Sequence, residues 1–88
     1  MALSVNDHSI VDGYIREQND DKIQILKEET LNELEEVKFW KNAGLEPKLS
    51  KKEIELLIEL LVKIEAYEQG KGWMFRTKRR TQLIMEYT

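Results

Sequence analysis

Eighty-eight residues with no cysteine, and with His8 as the one histidine, leave no disulfide framework and no metal centre; stability in so small a chain points to self-association instead. The net charge of −3 is unevenly spread: residues 1–70 hold 9 Lys and Arg against 16 Asp and Glu, while residues 71–88 hold 5 against 1, so an anion meets a local positive field on an acidic chain that repels duplex nucleic acid. The longest nearly apolar run, Leu56 to Val62, is broken by Glu59 and falls far short of the roughly 20 residues of a membrane span, and Met1-Ala2-Leu3-Ser4-Val5 does not read as a secretory leader.

Strand-like alternation is scarce and glycine and proline total five, so residues 1–88 read as a single all-α domain, a short N-terminal helix followed by a long antiparallel helical hairpin. The first helix, about 5–17, is started by Ser4 with Asp7 three residues on and carries Val11, Tyr14 and Ile15 on one face. Gly13 weakens it by roughly 1 kcal/mol relative to alanine and, beside Tyr14, marks a bend or a surface that something approaches. Gln18-Asn19-Asp20-Asp21 ends that segment and caps a second helix, about 22–43, in which Ile23, Leu26, Thr30, Leu34, Val37 and Lys41 form a near-heptad stripe. Gly44 is a left-handed stop, and the short connection Leu45-Glu46-Pro47-Lys48-Leu49 favours an antiparallel return.

Ser50-Lys51-Lys52-Glu53 is a capping box that opens a third helix. Glycines at 70 and 72 either kink or end it; the segment 51–86 is read as one long kinked helix, its last part carrying Trp73, Thr77, Arg80, Ile84 and Tyr87 along one side. Ile54, Leu57, Ile58, Leu61, Ile64 and Ala66 or Tyr67 make one apolar face, which Leu56, Leu60 and Val62 widen beyond what one partner helix covers. A second copy of the chain is the expected additional cover.

The chemistry concentrates in Gly72-Trp73-Met74-Phe75-Arg76-Thr77-Lys78-Arg79-Arg80. On a helix Arg76, Arg79 and Arg80 stand at i, i+3 and i+4, and guanidinium binds phosphate through two parallel charge-assisted bonds; the alternative is that they dock onto the glutamates of the second and third helices. Trp73, Phe75, Tyr14 and Tyr67 have the rings to stack on nucleobases, whereas Phe39 and Trp40 are assigned to core or interface. His8 beside Asp7 lacks the companions a metal needs and is given a structural or surface role. Gly70-Lys71-Gly72 lacks the spacing of a phosphate-binding loop, no serine or cysteine nucleophile has a second histidine to act as base, and no carboxylate pair stands in an evident cleft, so the chain reads as a binding protein rather than an enzyme, with no cofactor.

Two motifs carry a family resemblance. His8-Ser9-Ile10-Val11-Asp12-Gly13-Tyr14 resembles the His-x4-Gly-Tyr, and Gly72-Trp73-Met74-Phe75-Arg76-Thr77-Lys78 the Gly-Phe-Met-x-x-Thr-Arg, of the second type of phage anti-CBASS cyclic-nucleotide sponge, a family sharing its hairpin domain with a group of anti-Thoeris proteins. In size and acidic, lysine-rich style the chain is similar to a member from T-even-type phages. The resemblance implies a homo-hexamer in the cytoplasm of an infected bacterium that binds cyclic dinucleotides such as cyclic GMP-AMP without cleaving them. It makes Tyr14 the base platform, Lys27 the nearest match to a ligand-contacting lysine with Lys22 as the other choice, and places Thr77 and Lys78 near the ligand. Some members bind cyclic trinucleotides at a second site, where small apolar residues are usual and this chain has Arg76, Arg79 and Arg80. The competing reading is a phage protein that binds a host protein through the apolar third helix, or nucleic acid through the basic C-terminal segment.

Overall fold

The computed structural model describes the backbone of residues 5–88 and the side chains of residues 9–88. Four helices follow in order, α1 (Val5–Glu17), α2 (Asp20–Asn42), α3 (Lys51–Gln69) and α4 (Trp73–Tyr87), and no strand occurs among the described residues. The start signal at Ser4 and the side chains of Asp7 and His8 lie outside the described residues. No described helix is long and apolar enough to cross a membrane, and no group of three or more His, Asp or Glu among the described residues is placed to hold a metal ion.

The joint between α1 and α2 is tight. Gln18 adopts φ 55°, a left-handed conformation that costs a residue with a Cβ, and Asn19 then caps α2 by accepting the Lys22 N–H at 3.4 Å. Asp20 and Asp21 place negative charge in the first turn, where the helix dipole favours it. The expected stripe of α2 is buried from Ile23 through Leu26, Thr30 and Leu34 to Val37, with Lys41 exposed beyond it. Thr30 is tolerated in the core because its hydroxyl donates to the Leu26 carbonyl at 2.7 Å. Gly44, at φ 76°, reverses the chain, and its N–H and that of Leu45 donate to the Lys41 and Trp40 carbonyls. Phe39, expected in a core or interface, lies outside the core and is 69% exposed, while half-buried Trp40 has the Lys48 ammonium 5.4 Å from its ring centre.

Both halves of the capping box at the start of α3 form: the Ser50 hydroxyl accepts from the Glu53 N–H and the Glu53 carboxylate from the Ser50 N–H, each at 3.2 Å. This motif contributes about 1 kcal/mol and fixes where α3 begins. The helix is the hub of the fold and packs against all three others. Its wide apolar surface is covered within the chain except at Leu56, which is half-buried and joins neither core cluster. Leu60 and Ile64 join Val11 of α1 and Ile23 and Leu26 of α2, with Tyr14 and Ile15 alongside; Ile54, Leu57, Ile58, Leu61 and Val62 join Leu34 and Val37 of α2 and Leu83 and Tyr87 of α4. The excess apolar face therefore needs no second copy to bury it, because α1 and α4 do so.

The reading of 51–86 as one kinked helix gives way to two helices. Gly70 takes φ 64° and closes α3, its N–H reaching the Tyr67 carbonyl while that of Lys71 reaches Ala66. After Gly72 a new helix starts and lies back along α3. Two ion pairs fix this docking: Arg79 grips Glu65 at 2.9 and 3.3 Å, and Arg80 meets Glu59 at 3.2 Å. The core stripe of α4 is Leu83 and Tyr87, with Ile84 packed at its edge; Trp73 and Thr77, expected on one line with Ile84 and Tyr87, are exposed.

Candidate functional site

Because α3 ends at a left-handed glycine and α4 doubles back, the first turns of α4 stand beside the last turns of α3 and close to α1. Two adjoining lobes open there. One, about 400 Å³, is walled by Glu59 and Val62 of α3 and Thr77 and Arg80 of α4. The other, about 310 Å³, is walled by Asp12 and Ile15 of α1, Ala66 and Tyr67 of α3, and Lys71 and Gly72 of the turn. Lys63, Trp73 and Arg76 line both.

The charges of this double cleft sort into paired and free. Lys63 is bound to Asp12 at 3.0 Å and Arg80 to Glu59 at 3.2 Å, so these cations are largely compensated. The Lys71 ammonium and Arg76 guanidinium form no ion pair or hydrogen bond among the described residues, which leaves two uncompensated positive charges at one mouth. Trp73, which lines both lobes together with Arg76, is 74% exposed. The Thr77 hydroxyl is turned back onto its own helix, donating to the Trp73 carbonyl at 3.0 Å, and the Tyr67 phenol donates to Asp20 at 2.8 Å. That bond, together with burial, raises the Tyr67 pKa above its ordinary value, so the contact steadies α2 on α3 while the phenol keeps its proton and is lost as pH climbs through that raised pKa.

Of the sequence candidates, Trp73, Arg76, Thr77 and Arg80 come together here. Lys78 is exposed and lines neither lobe. Tyr14 is half-buried against the core formed by Val11, Ile23, Leu26, Leu60 and Ile64, with the Lys22 ammonium 5.4 Å from its ring centre. Lys27 is held by Glu68 at 2.7 Å. A Cβ built on Gly13 meets nothing within 4 Å, so no neighbour in the chain requires a glycine there. Sequence reasoning passed over Lys63 and Glu59. Their signal is the i, i+4 spacing of opposite charges that interrupts the apolar run of α3 on a single face.

Two other clefts are poorer candidates for an anionic ring-bearing ligand. One, about 510 Å³, carries the negative charges of Asp20 and Glu68. The other, about 380 Å³, has Lys41 and Lys51 at its rim, but its one ring, Tyr87, is buried in the core. No family model, no curated protein and no solved structure matches the chain.

Proposed function

We propose that this protein binds and sequesters cyclic dinucleotide second messengers, of which cyclic GMP-AMP is the type, acting as a phage anti-immune protein that starves CBASS effectors in the host cytoplasm. The observation that carries the reading is the exposed Trp73 ring in a two-lobed cleft that Arg76 and Lys71, both unpaired among the described residues, also line. A cyclic dinucleotide has two permanent phosphate charges and two flat bases, and this arrangement offers cations for the first and a stacking surface for the second. The motif around Gly72 to Lys78, which carries the family resemblance, supplies these groups. Cyclic trinucleotides share the same chemistry and belong to the same ligand class.

Sequestration without turnover is part of the proposal; the two hydroxyls of the cleft are engaged within the fold, Thr77 with the Trp73 carbonyl and Tyr67 with Asp20. The homo-hexamer implied by the resemblance is part of the proposal; Phe39, Met74 and Met85 are among the exposed large apolar side chains open to such contacts, as are Ile10, Ile25 and Leu45. The nucleic-acid reading is disfavoured by the engagement of Arg79 and Arg80 with Glu65 and Glu59, which leaves little of the basic helix free to track a duplex. The host-protein reading loses the apolar face of α3, which α1 and α4 cover.

Calorimetry against cyclic dinucleotides, cyclic trinucleotides and duplex DNA, at 50 and at 200 mM salt, tests the proposal. A ligand with two phosphates releases few counterions, so raising the salt should weaken cyclic-dinucleotide binding only modestly. A protein contacting 6–10 phosphates of a duplex loses on the order of 10³–10⁵ in affinity over that range. Tight duplex binding with such a steep salt dependence, and none to cyclic dinucleotides, would overturn the reading.

A further inference from the structure

Trp73 lines both lobes, as do Lys63 and Arg76, whereas every other lining residue belongs to one lobe alone. An aromatic ring has two faces, so one that lines two clefts has a surface to offer each. Building on the cyclic-dinucleotide reading, we propose that Trp73 is a wedge intercalated between the two bases of a single ligand, one base in each lobe, with the Arg76 guanidinium under the phosphates that join them. Two rings stacked on opposite faces of a third lie roughly 7 Å apart, about twice the 3.4 Å spacing of successive stacked bases. A two-nucleotide macrocycle folded with its bases parallel can hold that separation. Each lobe, at about 400 and 310 Å³, has room for a nucleobase.

This arrangement makes Trp73 a specificity-determining residue. Two bases linked by a short, closed backbone arrive together, so the second stacking event is intramolecular, and linkage of this kind raises affinity by roughly 10²–10⁴-fold over the separate parts. Mononucleotides, which fill the lobes independently, bind weakly and with two molecules per chain instead of one. The wedge gives the 74% exposed Trp73 ring its partners, the bases of the ligand.

Trp40 is the other tryptophan, so a Trp40→Phe background isolates the emission of Trp73. Titration of that variant with cyclic GMP-AMP should change the Trp73 fluorescence strongly and saturate at one ligand per chain. AMP and GMP should bind at least about a hundredfold more weakly, the lower end of the gain from linkage. In the otherwise natural sequence, Trp73→Ala should weaken cyclic GMP-AMP by roughly 10²–10⁴-fold, two stacking contacts being lost, and weaken a mononucleotide by far less. Calorimetry on Trp73→Ala needs no fluorescent background and so stands even if Trp40→Phe folds poorly. Cyclic GMP-AMP bound by the natural chain with no response at Trp73, or bound equally well by Trp73→Ala, would overturn the wedge while leaving the sponge reading intact. An absence of calorimetric binding to every cyclic dinucleotide would overturn both.

Discussion

Replacing Leu60 with alanine should destabilise the protein by roughly 2–5 kcal/mol, the cost of an apolar truncation in a site that cannot collapse. Leu60 is fully buried and shares a cluster with Val11 of α1 and Ile23 and Leu26 of α2. Three helices meet on this side chain, so no single one can move in to fill the space. In a domain this size each kcal/mol shifts the melting temperature by roughly 4–8 °C. Thermal unfolding followed by circular dichroism should therefore show a drop of at least about 8 °C, whereas Phe39→Ala, at a side chain 69% exposed, should stay within about 0.5 kcal/mol of the parent. A Leu60→Ala protein as stable as its parent would mean that α1 does not cover α3.

The second large effect separates two arginines that look alike in the sequence. Arg76 has no partner among the described residues, and Arg79 is clamped on Glu65. Arg76→Gln should weaken cyclic-dinucleotide binding by roughly tenfold to more than a hundredfold, the equivalent of a charge-assisted hydrogen bond worth about 1.5–3 kcal/mol, with the melting temperature unchanged. Arg79→Gln should do the reverse, lowering stability through the Glu65 carboxylate left beside α4, with affinity close to that of the parent. Paired calorimetry and thermal melts on the two variants check this. Equal effects on affinity would mean that the Arg79–Glu65 pair opens on binding and that the basic face acts as a unit.

Much of this architecture is legible along the chain because it rests on local rules. The α2 stripe, the Ser50–Glu53 capping box and the left-handed Gly44 each follow from a pattern a few residues long. What covers α3 is not local. The helix announces an excess of apolar surface, but α1 offers only Val11 with Tyr14 and Ile15, and in α4 the buried Leu83 and Tyr87 follow a run of cations that dominates the pattern. Gly70 is ambiguous in the same way, since a glycine permits either a kink or a stop, and only its φ of 64° decides for the stop.

The candidate site divides similarly. Trp73 and Arg76 stand out from composition alone, as an aromatic and a cation in the basic end of an acidic chain. Which arginine is free depends on the return of α4 along α3, which sets Arg79 and Arg80 against Glu65 and Glu59. The engagement of Lys27 with Glu68, 41 residues away, has no local signature either.

Equilibrium dialysis of cyclic GMP-AMP against a molar excess of the protein, followed by heat denaturation and chromatography of the released nucleotide, tests sequestration most directly. The account predicts that free nucleotide falls sharply in the presence of the protein and that the full amount returns intact, still cyclic, once the protein is denatured. Free nucleotide that stays at its starting level, or linear product that accumulates in proportion to protein, would contradict it.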